Sequence, residues 1–262
     1  MQLLYAVGDV HGMSHQLRAL VKKCRHHAAG RPMRFVFIGD YIDRGPDSRG
    51  VIEFLMRLQT QCPDEATFLM GNHETLALSA VACSDFMDDW LENGGASTLR
   101  SYGAASAAEL PADHVEWLRS LPLCCDDGHR FFVHAGINPE KPLDQQDWQD
   151  LLWIREPFLS DQRDYGRLIV HGHTPTGVDM PDLRQNRLNI DTGAVFGGPL
   201  TAAVFTADQT DPIDLVQAGG AAAAVTRQSG LKAYPCSSLP CGRKEKGPEG
   251  TGPRYQRKAP SK

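Results

Sequence analysis

Short apolar runs alternate with longer amphipathic stretches through the first third of the chain. Leu3 to Val7, Phe35 to Ile38 and Thr67 to Met70 are nearly unbroken apolar runs, the pattern of strands buried on both faces. Between the first two, Leu17, Leu20, Val21 and Cys24 recur at helical spacing, with Ser14 as a candidate cap and Gly30 as the stop. Val51, Ile52, Phe54, Leu55 and Leu58 mark a second helix, and Glu74 opens another. This β-α-β-α-β rhythm predicts an α/β fold with parallel strands. In such sheets the ligand site lies beyond the carboxyl ends of the strands.

The later pattern is less regular. Residues 84–121 read as helical, with Trp90, Leu91, Leu99, Tyr102, Trp117 and Leu118 as packing residues. Arg130 to Val133 and Leu168 to Val170 read as strands. Leu188 to Ile190 and Thr201 to Phe205 read as two more, joined by a turn at Gly193–Gly198, which predicts a second sheet packed on the first. From Gln228 onward Gly, Pro, Ser, Lys and Arg dominate. Such a composition cannot bury enough apolar area to offset chain entropy. The chain is therefore divided into one folded domain, 1–216, and a disordered basic tail, 217–262.

Bulk composition fits that division. A chain of 262 residues with 41% hydrophobic residues can build one large core. Residues 1–216 carry 18 Lys+Arg against 30 Asp+Glu, a balance of -12, and residues 217–262 carry 9 against 2, a balance of +7. An acidic body argues against a nucleic-acid partner. No apolar run suits a membrane span, and the first strand leaves no room for a signal peptide, so a cytoplasmic protein is expected. The seven cysteines suggest no disulfide framework. Oligomeric state is left open.

Five short runs carry the chemistry: Gly8-Asp9-Val10-His11-Gly12, Gly39-Asp40-Tyr41-Ile42-Asp43-Arg44-Gly45, Gly71-Asn72-His73-Glu74, His134-Ala135-Gly136 and His171-Gly172-His173. Asp9, Asp40 and Asn72 each fall just after a strand. Asp9 and His11 are two apart, so in extended backbone both point the same way and can hold one ion. Asp40 arrives from the neighbouring strand, and a carboxylate can bridge two cations. Asn72 and His73 should point apart, one toward metal and one toward substrate. His134 and His173 would complete the second ion's shell. A mixed oxygen and imidazole set without thiolate suits manganese, iron or zinc better than calcium or magnesium. Taken singly, an aspartate in a Gly-Asp pair is a turn residue; five such runs in order argue otherwise. Glu74 is expected to stabilise a helix start through its charge.

In these runs the chain resembles the phosphoprotein phosphatase group of calcineurin-like metallophosphoesterases, in its bacterial and phage branch, over roughly residues 1–207. The resemblance implies a four-layer αββα arrangement: a β-sandwich of two mixed sheets flanked by helices. It implies two divalent metal ions, manganese foremost, with Asp9, His11 and Asp40 on one and Asp40, Asn72, His134 and His173 on the other. It implies His73 as general acid held by Asp43, and Arg44 and Arg155 as phosphate clamps, with His171 ranked behind the ligands. The implied activity is a serine/threonine phosphoprotein phosphatase. A hydroxide shared by the metals would attack phosphorus in line, with a phosphoprotein or small phosphoester as substrate. The alternatives are a symmetrical bis(5'-nucleosyl)-tetraphosphate hydrolase or broad-specificity phosphoesterase, and a phosphate-binding pseudoenzyme. The dinucleotide hydrolases typically lack an aspartate at the Asp43 position and carry Asp after the GNH triplet. This chain has Asp43 and Glu74.

Overall fold

The computed structural model describes residues 2–220. In the first part, β1 (Leu3–Val7), α1 (Ser14–Ala28), β2 (Met33–Phe37), α2 (Ser48–Gln61), β3 (Ala66–Phe68) and α3 (Asn72–Ala82) follow one another. Next come the short helices α4 (Met87–Trp90), α5 (Ala96–Tyr102) and α6 (Ala112–Arg119). β4 (Cys124–Asp126), β5 (Arg130–Val133), α7 (Trp148–Trp153), β6 (Leu168–His171), β7 (Asp182–Leu183) and β8 (Arg187–Asn189) lead to β9 (Pro199–Thr206) and β10 (Asp214–Gly219). Two five-stranded sheets result, ordered β10-β9-β1-β2-β3 and β4-β5-β6-β8-β7. β1, β2 and β3 are parallel, as are β5, β6 and β8. The antiparallel members are β9, β10, β4 and β7. The predicted sandwich of two mixed sheets flanked by helices is the observed fold.

The strand pattern explains the layers. Ala6, Val36, Ile38, Leu69, Ala203 and Phe205 from one sheet meet Phe132, Leu168, Val170, Leu188 and Ile190 from the other, forming the inter-sheet core. Their neighbours at period two, Leu3, Tyr5, Val7, Phe35, Phe37, Phe131, Val133 and Ile169, pack into the larger core that includes the helices. Each central strand is thus apolar on both faces, which is why it reads as an unbroken run.

Three expectations need correction. Thr201 to Phe205 lies in β9, which pairs with β1 in the first sheet, so Gly193–Gly198 carries the chain between sheets rather than around a hairpin. β10 continues through Gly219, three residues into the segment assigned to the tail. The rest of the predicted disordered tail, from residue 221, lies outside the described residues. Ser14 is the first residue of α1 and not its cap; its Oγ accepts from Nε of Arg18 at 3.3 Å. Among the described residues no cysteine forms a disulfide, and no helix is long and apolar enough to cross a membrane.

Candidate active site

The loops after β1, β2, β3, β5 and β6 bring the predicted residues to one end of the sandwich. Gly39 makes the approach possible. It has φ 103°, and a Cβ there would stand 2.5 Å from the backbone nitrogen of Gly71. Glu74 locks the two loops together. Its Oε2 accepts the N–H groups of Gly71 (2.8 Å) and Asp40 (2.9 Å), and its Oε1 accepts those of Tyr41 (2.8 Å) and Ile42 (3.4 Å). The carboxylate is fully buried. Burial and the neighbouring Asp40 charge push it up to about 8. Glu74 does cap a helix start through Gly71, but its larger task is to hold the Asp40 backbone. Its position three residues after Gly71, at a strand-to-helix junction, is the spacing that could have revealed this.

Local strain gathers here. Among the described residues the non-glycine positions with positive φ are His11, Ala29, Asp40, Asp43, Arg44 and His173. All but Ala29 are predicted site residues, and strained backbone of this kind clusters where function requires it. His11, at φ 44°, is not extended, so the same-side argument for Asp9 and His11 does not describe their geometry. The turn instead sends His11 to Asp40, while Asp9 accepts the His173 N–H at 3.1 and 3.3 Å.

Asp40 is the hub. Its Oδ2 lies 3.3 Å from Nε2 of His11 and 3.9 Å from Nε2 of His73; its Oδ1 lies 3.4 Å from Nε2 of His134. Two buried groups share it: His11, Asp40 and His73, and Asp40, His134 and His173, each with ligand atoms within 4.8 Å of one another. Asn72 joins the second group, its Oδ1 being 2.8 Å from Nε2 of His134 and 3.0 Å from Nδ1 of His173. Asp9 is in neither compact group. Burial and the carboxylates of Asp191 and Asp40 hold its carboxyl well above the usual range.

The donor chemistry fits divalent cations. Nδ1 of His11 donates to the Ile42 carbonyl at 2.9 Å, and Nδ1 of His134 to the Ile38 carbonyl at 3.0 Å. Each ring therefore turns its Nε2 lone pair into the site, the outer support characteristic of metal-bound histidine, although that of His11 also accepts from Nη1 of Arg44 at 2.7 Å. Burial keeps both rings neutral by depressing their pKa, that of His11 to about 3. On the His134 side two acceptors, Nε2 and the Asn72 carbonyl oxygen, face each other with no proton to share. A cation satisfies such a pair.

His73 is handled differently. Its Nδ1 donates to Oδ2 of Asp43 at 2.8 Å. Asp43 also accepts from Nε1 of Trp90 (2.9 and 3.1 Å) and from Oγ1 of Thr98 (2.6 Å). Its own N–H donates to the hydroxyls of Ser48 and Thr98. Burial works against the charged His73 ring, but the Asp40 and Asp43 carboxylates outweigh it and raise the pKa above the ordinary histidine value. Asn72 and His73 do point to different partners, as expected. Trp90 packs in the core as expected and in addition holds Asp43, whereas Thr98 was missed.

The arginines stand at the rim. Arg44 places Nη1 2.7 Å from Nε2 of His11, and its guanidinium carbon lies 5.8 Å from the ring centre of Phe196, a side chain 66% exposed. Gly94, at φ 105°, lets Arg44 approach: a Cβ there would stand 2.8 Å from Cγ of Arg44. Arg155 is exposed and donates from Nε to Oγ1 of Thr174 at 3.3 Å. Its charge reaches the site, adding to the burial that depresses His173 and opposing the burial that raises Asp191. His171 belongs to neither group; it packs against Phe158 at 5.0 Å, and burial keeps it neutral. Sequence reasoning passed over Asp191, a buried carboxyl pushed up to about 6 by burial, whose Oδ1 accepts the Gly193 N–H at 3.0 Å. Its place directly after a buried strand was the available signal.

A two-sheet sandwich with histidine and aspartate sets at one end is the architecture of a metallophosphoesterase. The chain belongs to the calcineurin-like phosphoesterase family, whose model matches residues 3–211. It is 34% identical over 208 residues to serine/threonine-protein phosphatase 1 of Salmonella typhimurium, covering 76% of this chain and 90% of that protein. It is 30% identical over 232 residues to the asymmetrical bis(5'-nucleosyl)-tetraphosphatase PrpE of Anoxybacillus flavithermus, covering 78% and 91%. Among solved structures it resembles one described, provisionally, as a diadenosine tetraphosphatase, with TM-score 0.63 and 24% identity over 84% of this chain and 94% of that one.

Proposed function

We propose that this phosphoesterase acts on phosphomonoesters with an alcohol leaving group, foremost phosphoserine and phosphothreonine in proteins. One observation carries the reading: the buried pair of His73 and Asp43. An alkoxide leaves only when protonated, whereas a nucleotide phosphate leaving from an anhydride is stable as the anion. A raised imidazole, clamped through Nδ1 by a carboxylate with three hydrogen-bond partners, suits the first task.

Asp9, His11 and Asp40 would hold one divalent cation, and Asp40, Asn72, His134 and His173 the second, manganese being the first candidate. When bound, such ions supply Lewis acidity to the attacking water and to the phosphoryl oxygens. Asp43 keeps Nδ1 of His73 as a donor, so that Nε2 carries the proton given to the departing serine or threonine oxygen. The ring then recovers a proton from water. Arg44 and Arg155 would neutralise and orient the phosphoryl oxygens, a role that suits a planar fork.

The test is a parallel assay. Chelator-stripped protein is given manganese and offered a phosphothreonine peptide, a phosphotyrosine peptide and diadenosine tetraphosphate. Highest kcat/KM on the phosphothreonine peptide is expected. Preferred cleavage of the dinucleotide would overturn the substrate assignment.

A further inference from the structure

A cleft of ≈ 380 Å³ opens beside the site, lined by Arg44, Gly45, Pro46, Ser97, Arg100 and Ser101. No carboxylate lines it, although residues 1–216 carry a balance of -12. Arg44 and Arg100 are both exposed, and among the described residues neither forms an ion pair. Ser97 spends its hydroxyl proton on the Gly94 carbonyl at 2.8 Å. Ser101 accepts the Arg49 N–H at 3.0 Å, which leaves its own O–H to donate. The cleft thus presents two guanidinium forks and a hydroxyl donor, a set that suits a phosphate.

Arg44 ties this cleft to the reaction. The same guanidinium that forms one wall also lies 2.7 Å from Nε2 of His11. A phosphate in the cleft would therefore sit next to the phosphate being cleaved. We propose that the Arg44–Arg100 cleft is a second phosphate subsite, which takes a further phosphate of the same substrate. The inference rests on the reading above for where the first phosphate binds, but not on which ester is cleaved. A neighbouring phosphoresidue on a peptide and the next phosphate of a polyphosphate chain present the same chemistry.

The experiment separates those sources. Manganese-loaded full-length protein is assayed on p-nitrophenyl phosphate as the single-phosphate reference, on a peptide with adjacent phosphoserine and phosphothreonine, and on diadenosine tetraphosphate. Wild type is compared with Arg100→Gln and with Arg119→Gln, an exposed arginine outside the cleft. For at least one two-phosphate substrate, kcat/KM relative to the reference should fall about tenfold in Arg100→Gln, the loss expected for one charge-assisted hydrogen bond. Arg119→Gln should leave that ratio alone. A loss on the peptide identifies a phosphoresidue as the occupant; a loss on the dinucleotide identifies a polyphosphate chain. If the dinucleotide alone is cleaved and its ratio falls, the subsite stands and the phosphoprotein reading fails. If Arg100→Gln changes neither ratio, or if both variants change them alike, the subsite is wrong.

Discussion

The two sides of Asp40 are built on opposite principles. Toward Asp43 the polar groups are complete without help. His73, Trp90, Thr98 and Ser48 supply donors and acceptors that match, and all are buried. Toward His134 and His173 the groups are mismatched: lone pairs of imidazole and amide oxygen converge, with neighbouring carboxylates crowded at Asp9 and Asp191. A finished network rigidifies what it holds. An unfinished one is a receptor for positive charge. The difference teaches that histidine can close a hydrogen-bond network on one side and leave lone pairs open to a cation on the other.

The largest expected effect separates those two uses of histidine. His73→Asn should lower kcat on a phosphothreonine peptide by about 10²–10⁴-fold, the range for losing a general acid. Bound metal, measured by plasma mass spectrometry after dialysis, should stay at the wild-type ratio. His134→Asn should instead reduce the bound metal. Loss of metal from the first variant and retention in the second would reverse the assignment of the two sides.

Metal removal should produce the next largest effect. A network that lacks its cation is less stable, and binding to the folded state adds stability by mass action. Manganese at a hundred times Kd should raise the unfolding free energy by about 2.7 kcal/mol. The gain should shrink in His173→Asn and persist in His73→Asn. Chelator-stripped and loaded wild type unfolding at the same urea concentration would show that the ion side supports itself, and the contrast would collapse.

Much of this architecture is legible in the sequence because burial on both faces leaves a plain signature. Strands β1, β2, β5 and β6 announce themselves as apolar runs, and each ends in a motif. What is hidden depends on contacts distant along the chain. The Gly193–Gly198 segment looks the same whether β9 folds back on β8 or crosses to β1, since the turn residues do not encode the partner. Trp90 and Thr98 sit in a helical stretch where an indole reads as packing and a hydroxyl carries no signal of its own. Only their approach to Asp43, from 47 and 55 residues away, gives them a task. Asp9 and His11 were legible as residue types but not as a geometry, because the left-handed turn at His11 breaks the alternation that extended backbone would impose. Glu74 was visible as a helix opener, while its hold on Asp40 was not.

The smallest effect tests whether the completeness of the Asp43 side matters to chemistry or only to folding. Trp90→Phe removes the indole N–H from a buried carboxylate and keeps most of the ring's packing. The lost hydrogen bond should cost about 1.5 kcal/mol of stability in urea unfolding, the low end for a bond to a charged group. The His73–Asp43 bond remains, so turnover should fall only about threefold on phosphothreonine, a fraction of a single hydrogen bond's worth. The informative quantity is the dependence on leaving group. p-Nitrophenolate departs without protonation, so its release should be nearly indifferent to how firmly Asp43 orients His73. The threonine alkoxide should feel the change. Equal losses on the two substrates would mean that Trp90 only fills space, and that Asp43 owes its orientation to Thr98 and Ser48 alone.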